Sequence, residues 1–207
     1  MKSNLIVLLA FTAGIAIGVF GGDALAGALA EVPTYLLYAL ILQVGLNIDA
    51  NGELGVLIRN ISPTTLLLPL FTIAGTLAFS ALASLAFEEW SATDCMAVGS
   101  GFGYYSLSSL LITEYKGVTD GAVVAAQLGA IALLANIIRE VTALLVAPLF
   151  RRFFGKFAPV AAAGSPSMDV CLPIITRASG KSIVPIALIH GIVLDLSVPV
   201  LISVLCQ

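Results

Sequence analysis

From Thr64 to Phe87 the chain carries no charged side chain. A run of that length constrains the fold more than any other feature, because about 20 largely apolar residues in a helix span the hydrocarbon of a bilayer. Four further apolar segments occur at residues 4–21, 33–48, 121–149 and 182–206, the second of them short. Lipid offers no partner for backbone N–H and C=O groups, so such segments are helices that satisfy their own. Composition agrees: 59% of the 207 residues are hydrophobic and 10% charged, with a mean hydropathy of +1.09, more than a water-soluble core requires. The expected fold is all-α, a polytopic membrane protein. Residues 1–207 are expected to form one transmembrane domain, with N-terminal spans in 1–63 and an inverted-repeat core in 64–207.

Lys2, the apolar run 5–20 and Ala24-Leu25-Ala26 imitate the three parts of a secretory leader. Another hydrophobic segment follows, with helix-start residues at Pro33 and Thr34, so 4–21 reads as a first span. Cys95, Cys171 and Cys206 form no CxxC pair and read as small buried hydrophobes. No metal or cofactor is expected. A formal net charge of −3, with no basic run beyond "RRFFGK", argues against nucleic acid as a partner.

Two more apolar stretches, 94–114 and 156–176, carry helix breakers near their middles: Gly99, Gly101 and Gly103 in the first, Gly164, Pro166 and Pro173 in the second. Each is either a broken span or a re-entrant hairpin. The distribution of Lys and Arg separates the two readings. If both stretches are hairpins, Lys2, Arg59, Arg151, Arg152, Lys156, Arg177 and Lys181 share the inner side, while the outer loops hold Asp23, Glu31, Glu88, Glu89, Asp94, Glu114, Lys116 and Asp120. If both cross, "RRFFGK" falls outside. The expectation is therefore five spans plus two discontinuous or re-entrant hairpins, with the N-terminus inside and the C-terminus outside. Span 64–87 with hairpin 94–114 and span 121–149 with hairpin 156–176 then form an inverted repeat, an arrangement that in transporters places a substrate site near the midplane. Channels use hairpins too.

Candidate site residues cluster around these breaks. In "SPSMDVCLP", Ser165 is placed to N-cap a half-helix with Pro166 in its first turn, Ser167 beside it and Asp169 one turn in. Pro173 has no N–H for the Asp169 carbonyl four residues back, so a carboxylate and a freed carbonyl are expected together, a pair suited to an ammonium group. The same spacing recurs at Asp195 and Pro199, with His190 five residues before Asp195 and about 140° round the helix. Asn136, Arg139 and Glu140 lie near the middle of 121–149 on neighbouring positions of a helix face. Ionisable groups at such depth mark function, whereas Asn136 alone is also consistent with interhelical hydrogen bonding and His190 with a satisfied core residue. Gly101, Tyr104, Tyr105, Ser106 and Ser108 at the first break offer neutral hydrogen bonds and half-helix amides, and the two aromatics are equally suited to packing.

The segments "GSGFGYYSLSSLLITE", "ANIIRE", "SPSMDVCLPIITRASG" and "PIALIHG" resemble, in order over roughly residues 94–200, the signature segments of the lysine exporter (LysO) family. The resemblance implies export of L-lysine through the bacterial cytoplasmic membrane. It also implies two important intramembrane acidic positions. Asp169 matches one of them, and Asn136 stands at the other, while Asp195 occupies a place where a small polar residue is expected; the missing charge is thus expected to have moved to Asp195. Single-chain members of the family carry additional N-terminal spans, so a separate small membrane protein or a second copy of this chain is the expected partner.

The mechanism implied is alternating access, with the lysine ammonium groups at Asp169 and the substrate carboxylate at half-helix amides near Ser165 or Gly101. Asp169, Asp195, His190, Glu140 and Arg139 are candidates for proton or charge coupling. A passive channel, or a carrier of another small charged solute, is the alternative. A serine hydrolase built from Ser100 or Ser106 with His190 lacks an orienting third group.

Overall fold

The computed structural model describes residues 63–207 together with Tyr35, and the expected spans at 4–21 and 33–48, Tyr35 apart, lie outside the described residues. The regular elements among the described residues from 63 on are helices joined by turns: α1 (Pro63–Ala83), α2 (Ala92–Gly99), α3 (Tyr105–Thr119), α4 (Ala122–Phe154), α5 (Ala158–Ala163), α6 (Leu172–Ser179) and α7 (Val184–Leu205). Three stretches among them are long and apolar enough to cross a membrane, Thr65–Ala86, Ala122–Phe154 and Lys181–Leu205. They coincide with the spans expected at 64–87, 121–149 and 182–206. Leu66, Leu67, Leu70 and Leu82 of α1 are exposed, as lipid-facing residues are.

The 33 residues of α4 make a rod of about 50 Å, and the other elements are ordered along it. Near its N-terminal end a Cβ on Gly129 would meet Thr113 Oγ1 at 2.0 Å, so α3 packs there with no room to spare. Toward its C-terminal end Ala143 joins Val160 and Ala163 of α5, Cys171, Ile175 of α6, Ile183 and Ala187 in one buried cluster. Leu68, near the start of α1, packs on that cluster, while Cys206, just past α7, lies within electrostatic reach of Asp94, Lys116 and Asp120. So α1 and α7 run in the direction opposite to α4.

Both interrupted stretches turn back on themselves. Lys116 Nζ, in the last turn of α3, lies 2.7 Å from Asp94 Oδ1 in the first turn of α2. Two helices continuing in one direction would separate these residues by roughly 30 Å. Ser91 starts α2 with a capping box, its hydroxyl accepting the Asp94 N–H while the Asp94 carboxylate accepts the Ser91 N–H. In the second stretch Val160 of α5 and Ile175 of α6 belong to the same buried cluster.

The half-helix expected to start at Ser165 is not formed. Ser165–Met168 is a single 3-10 turn without a side-chain cap, and α6 begins at Leu172 with Pro173 in its first turn, where no N–H is needed. Nor is the Asp169 carbonyl freed. The backbone at Asp169 is not helical, at φ −134° and ψ −90°, and the carbonyl accepts the Leu172 N–H at 3.1 Å.

Candidate functional site

The two reversals meet. Residues 100–104 form the tip between α2 and α3, residues 164–171 the tip between α5 and α6, and the Ser165 N–H donates to the Phe102 carbonyl across the junction at 2.8 Å. Glycine makes this approach possible. A Cβ on Gly164 (φ +74°) would lie 2.1 Å from Phe102 O, and one on Gly103 (φ +95°) 2.8 Å from Pro166 Cδ. Phe102 itself has positive φ, at 46°, and is fully buried.

Irregular backbone at depth needs partners other than water, and the middle of α4 supplies them. Asn136 is 3% exposed, and its Oδ1 accepts the Gly103 N–H at 2.7 Å. Its Nδ2 donates to the carbonyls of Val98 at 3.1 Å and Ala132 at 2.9 Å, with Ser108 Oγ at 3.4 Å. Gly101 is bare where these groups converge, since a Cβ there would meet Asn136 Nδ2 at 2.5 Å. One turn on, Arg139 Nε donates to Ala162 O and Nη2 to Ala161 O, both at 3.1 Å, so a cation closes the C-terminus of α5. The same guanidinium carbon lies 5.7 Å from the centroid of the Phe102 ring in the opposite tip.

From the other side, α7 clasps the second tip. Ser165 Oγ donates to Asp195 Oδ1, and Ser167 Oγ lies 3.1 Å from His190 Nδ1. Between those contacts Gly191 leaves no space, its absent Cβ falling 2.6 Å from Met168 Cβ. His190 Nε2 in turn lies 3.0 Å from Thr72 Oγ1 of α1. His190 and Asp195 thus hold the same turn although they lie on different faces of α7.

Asp169 sits at the end of the turn, exposed, its Oδ1 accepting the N–H of Val170. It is within electrostatic reach of Asp195, of Glu140 and of the phenols of Tyr104 and Tyr105. Tyr105 and Ser106 begin α3, so three carboxylates from three elements gather around the N-terminal end of that helix. Arg139 and Glu140, adjacent in sequence, face different surroundings: Arg139 faces α5 and Thr76, Glu140 the acid group.

The sequence residues therefore fall into two sets. Asp169, Asp195, Glu140, Tyr104, Tyr105 and Ser165 lie together, with Ser106 next to Tyr105 in the first turn of α3, whereas Asn136 is engaged with the first tip, to which Gly101 belongs, Arg139 with the end of α5 and Ser167 with His190. Phe102 and Thr72 were not singled out from sequence. For Thr72 a signal exists, since Thr72, Thr76 and Ser80 recur every fourth residue along a helix whose other hydroxyls, Thr64 and Thr65, lie in its first turn. They line an open groove of about 870 Å³ between α1, α4 and α5, together with Arg139, Phe150, Ala161 and Ala162.

No solved structure matches the chain. Among curated relatives, lysine exporter LysO of Escherichia coli (strain K12) is 32% identical over 194 residues, which are 92% of this chain and 60% of the relative. A relative from Haemophilus influenzae is 31% identical over 168 residues, 81% of this chain and 80% of the other. The chain thus spans about 60% of the length of the Escherichia coli relative. The family model described as lysine exporter LysO matches residues 8–206, nearly the whole chain, and this multi-pass membrane protein belongs to that family.

Proposed function

We propose that the protein exports L-lysine, or a related cationic amino acid, from the cytoplasm by alternating access around the junction of the two tips. The observation that carries this reading is the gathering of Asp169, Asp195 and Glu140 beside a junction of broken helices in a chain of the LysO family. An ammonium group stripped of water at depth needs an anion and further acceptors. In this reading Asp169, the exposed member, receives one ammonium, and Asp195 and Glu140 hold the rest of the positive charge. The substrate carboxylate belongs at the first-turn amides of α3, with the hydroxyls of Tyr104, Tyr105 and Ser106 beside them. Three carboxylates against one net positive charge on lysine leave room for a co-bound proton.

The architecture that goes with it is five spans and two re-entrant hairpins, related as an inverted repeat. Its support is the pairing of Lys116 with Asp94 at one end of α4 and the packing of α5 on α6 at the other, so that the stretches approach the middle of α4 from opposite ends. Arg151, Arg152 and Lys156 lie at the C-terminal end of α4, which makes that end the cytoplasmic one by the positive-inside rule. A partner, either a small membrane protein or a second copy, belongs to the same reading, and the mass of the solubilised assembly tests it.

Counterflow of labelled lysine into lysine-loaded proteoliposomes tests the function. Saturable exchange that unlabelled lysine inhibits is expected. Conductance without saturation or competition would instead mark a passive channel.

A further inference from the structure

His190 is a buried ring with a hydroxyl at each nitrogen. Thr72 Oγ1 lies 3.0 Å from Nε2 and Ser167 Oγ 3.1 Å from Nδ1, and the ring is 0% exposed. Each hydroxyl also has a backbone carbonyl within reach, Leu68 O at 2.9 Å for Thr72 and Ala187 O at 3.0 Å for Ser167. A hydroxyl has one proton to give. A neutral imidazole has one N–H and one lone pair, so whichever hydroxyl donates to the ring leaves its carbonyl, while the other accepts from the ring and keeps its own. The two hydroxyls alone allow two hydrogen-bonding arrangements, one for each tautomer.

The two ends lead to different places. Thr72 lines the open groove between α1, α4 and α5. Ser167 belongs to the turn whose first residue, Ser165, donates to Asp195 and whose end carries Asp169. The charged side chain within electrostatic reach of the ring among the described residues is Arg139, from α4; the backbone of Gly164 also bonds to the ring, and α1 and the turn present hydroxyls.

We propose that Thr72, His190 and Ser167 form a proton relay between the groove and the turn that bears the acid site, so that His190 couples proton movement to transport. In one passage Thr72 gives its proton to Nε2 and takes another from water in the groove. Nδ1 gives its proton to Ser167, which passes its own to the Asp169 carboxylate at the end of the same turn. One proton enters, one leaves, and the ring ends in the other tautomer. This inference rests on the transport reading above, in which exchange of lysine for lysine needs no net proton movement.

The test compares two assays on the full chain in proteoliposomes, labelled-lysine counterflow at equal pH and net lysine transport driven by a pH difference. The variants are His190→Gln, Thr72→Val, Thr72→Ser and Ser167→Ala. His190→Gln and Thr72→Val are expected to keep counterflow within about twofold of wild type while pH-driven transport falls at least about tenfold. Thr72→Ser, which restores the hydroxyl, is expected to recover most of it. An equal fall in both assays would make His190 a packing residue, and unchanged pH-driven transport in His190→Gln would remove it from the proton path. Wild-type counterflow without any response to a pH difference overturns the relay but leaves the exporter reading intact. Absence of wild-type counterflow overturns the exporter reading, and the relay with it.

Discussion

Asn136 and Asp169 show how differently two polar residues at a break can be used. The Asn136 amide spends both donors on the carbonyls of Val98 and Ala132 and its oxygen on the Gly103 N–H. A carboxylate there keeps the acceptor, loses the donors and faces two carbonyls. Asn136→Asp is therefore expected to lower stability by about 1–3 kcal/mol through the lost amide donors and the carboxylate facing carbonyls, seen as a lower melting temperature in detergent. From sequence alone the same substitution is expected to restore a charge and rescue Asp195→Asn. With Asn136 turned toward the first tip, the double mutant is expected to transport no better than Asp195→Asn. Asp169 is the contrary case, exposed and bonded only locally, so Asp169→Asn should insert and melt like wild type while lysine efflux is lost. Normal efflux from that variant would remove Asp169 from the site.

The interrupted stretches are held at their tips by close approach and at one mouth by charge. Gly103 and Gly164 combine positive φ with no space for a Cβ, so Ala at either is expected to cost about 1–3 kcal/mol in backbone strain, with the clash against the opposite tip added to it. Gly75→Ala is the control. It lies inside α1 with nothing within 4 Å of the added carbon, and should be neutral or stabilising. At the mouth of the first stretch Lys116 bridges Asp94 and Asp120, each at 2.7 Å. Burial pushes the Asp94 carboxyl up, but hydrogen bonds from Lys116 and Ser91 outweigh it and hold the group below its ordinary 3.8. For Lys116 burial pulls down, and the bonds to Asp120 and Asp94 outweigh it, raising the ammonium above its ordinary 10.5. A depressed acid stabilises the fold above its unfolded value and loses that contribution as pH falls through the folded one; a raised base does the reverse. Melting temperature is thus expected to hold between these limits, to fall below pH 3.8 and above pH 10.5, and to lose most of its alkaline slope in Lys116→Met.

Across the whole molecule the prediction is one of sidedness. With single cysteines in a Cys-free background, position 116 is expected to react with an impermeant reagent from outside, and positions 156 and 181 only from inside. A probe at 156 that reacts from outside would refute five spans with two re-entrant stretches.

The three long described spans were legible because lipid imposes one rule on every residue of a run, and a sum of hydropathies reads that rule without knowing the partners. Both interruptions were legible for the same reason, since glycine and proline act on their own backbone. Asp169 and Asp195 could be flagged as out of place in an apolar chain. What each polar group is bonded to was not legible. The sequence made Ser165 a helix cap, whereas the packing of bare Gly191 against the turn brings Asp195 to its hydroxyl. Asn136 and Arg139, one turn apart, could be assigned to the same face but not to two different interrupted stretches, because their partners there are 33 and 23 residues away and meet only when both stretches reverse. Local chemistry decided where the backbone breaks; long-range contact decided which side chains repair the break and which lie outside that repair.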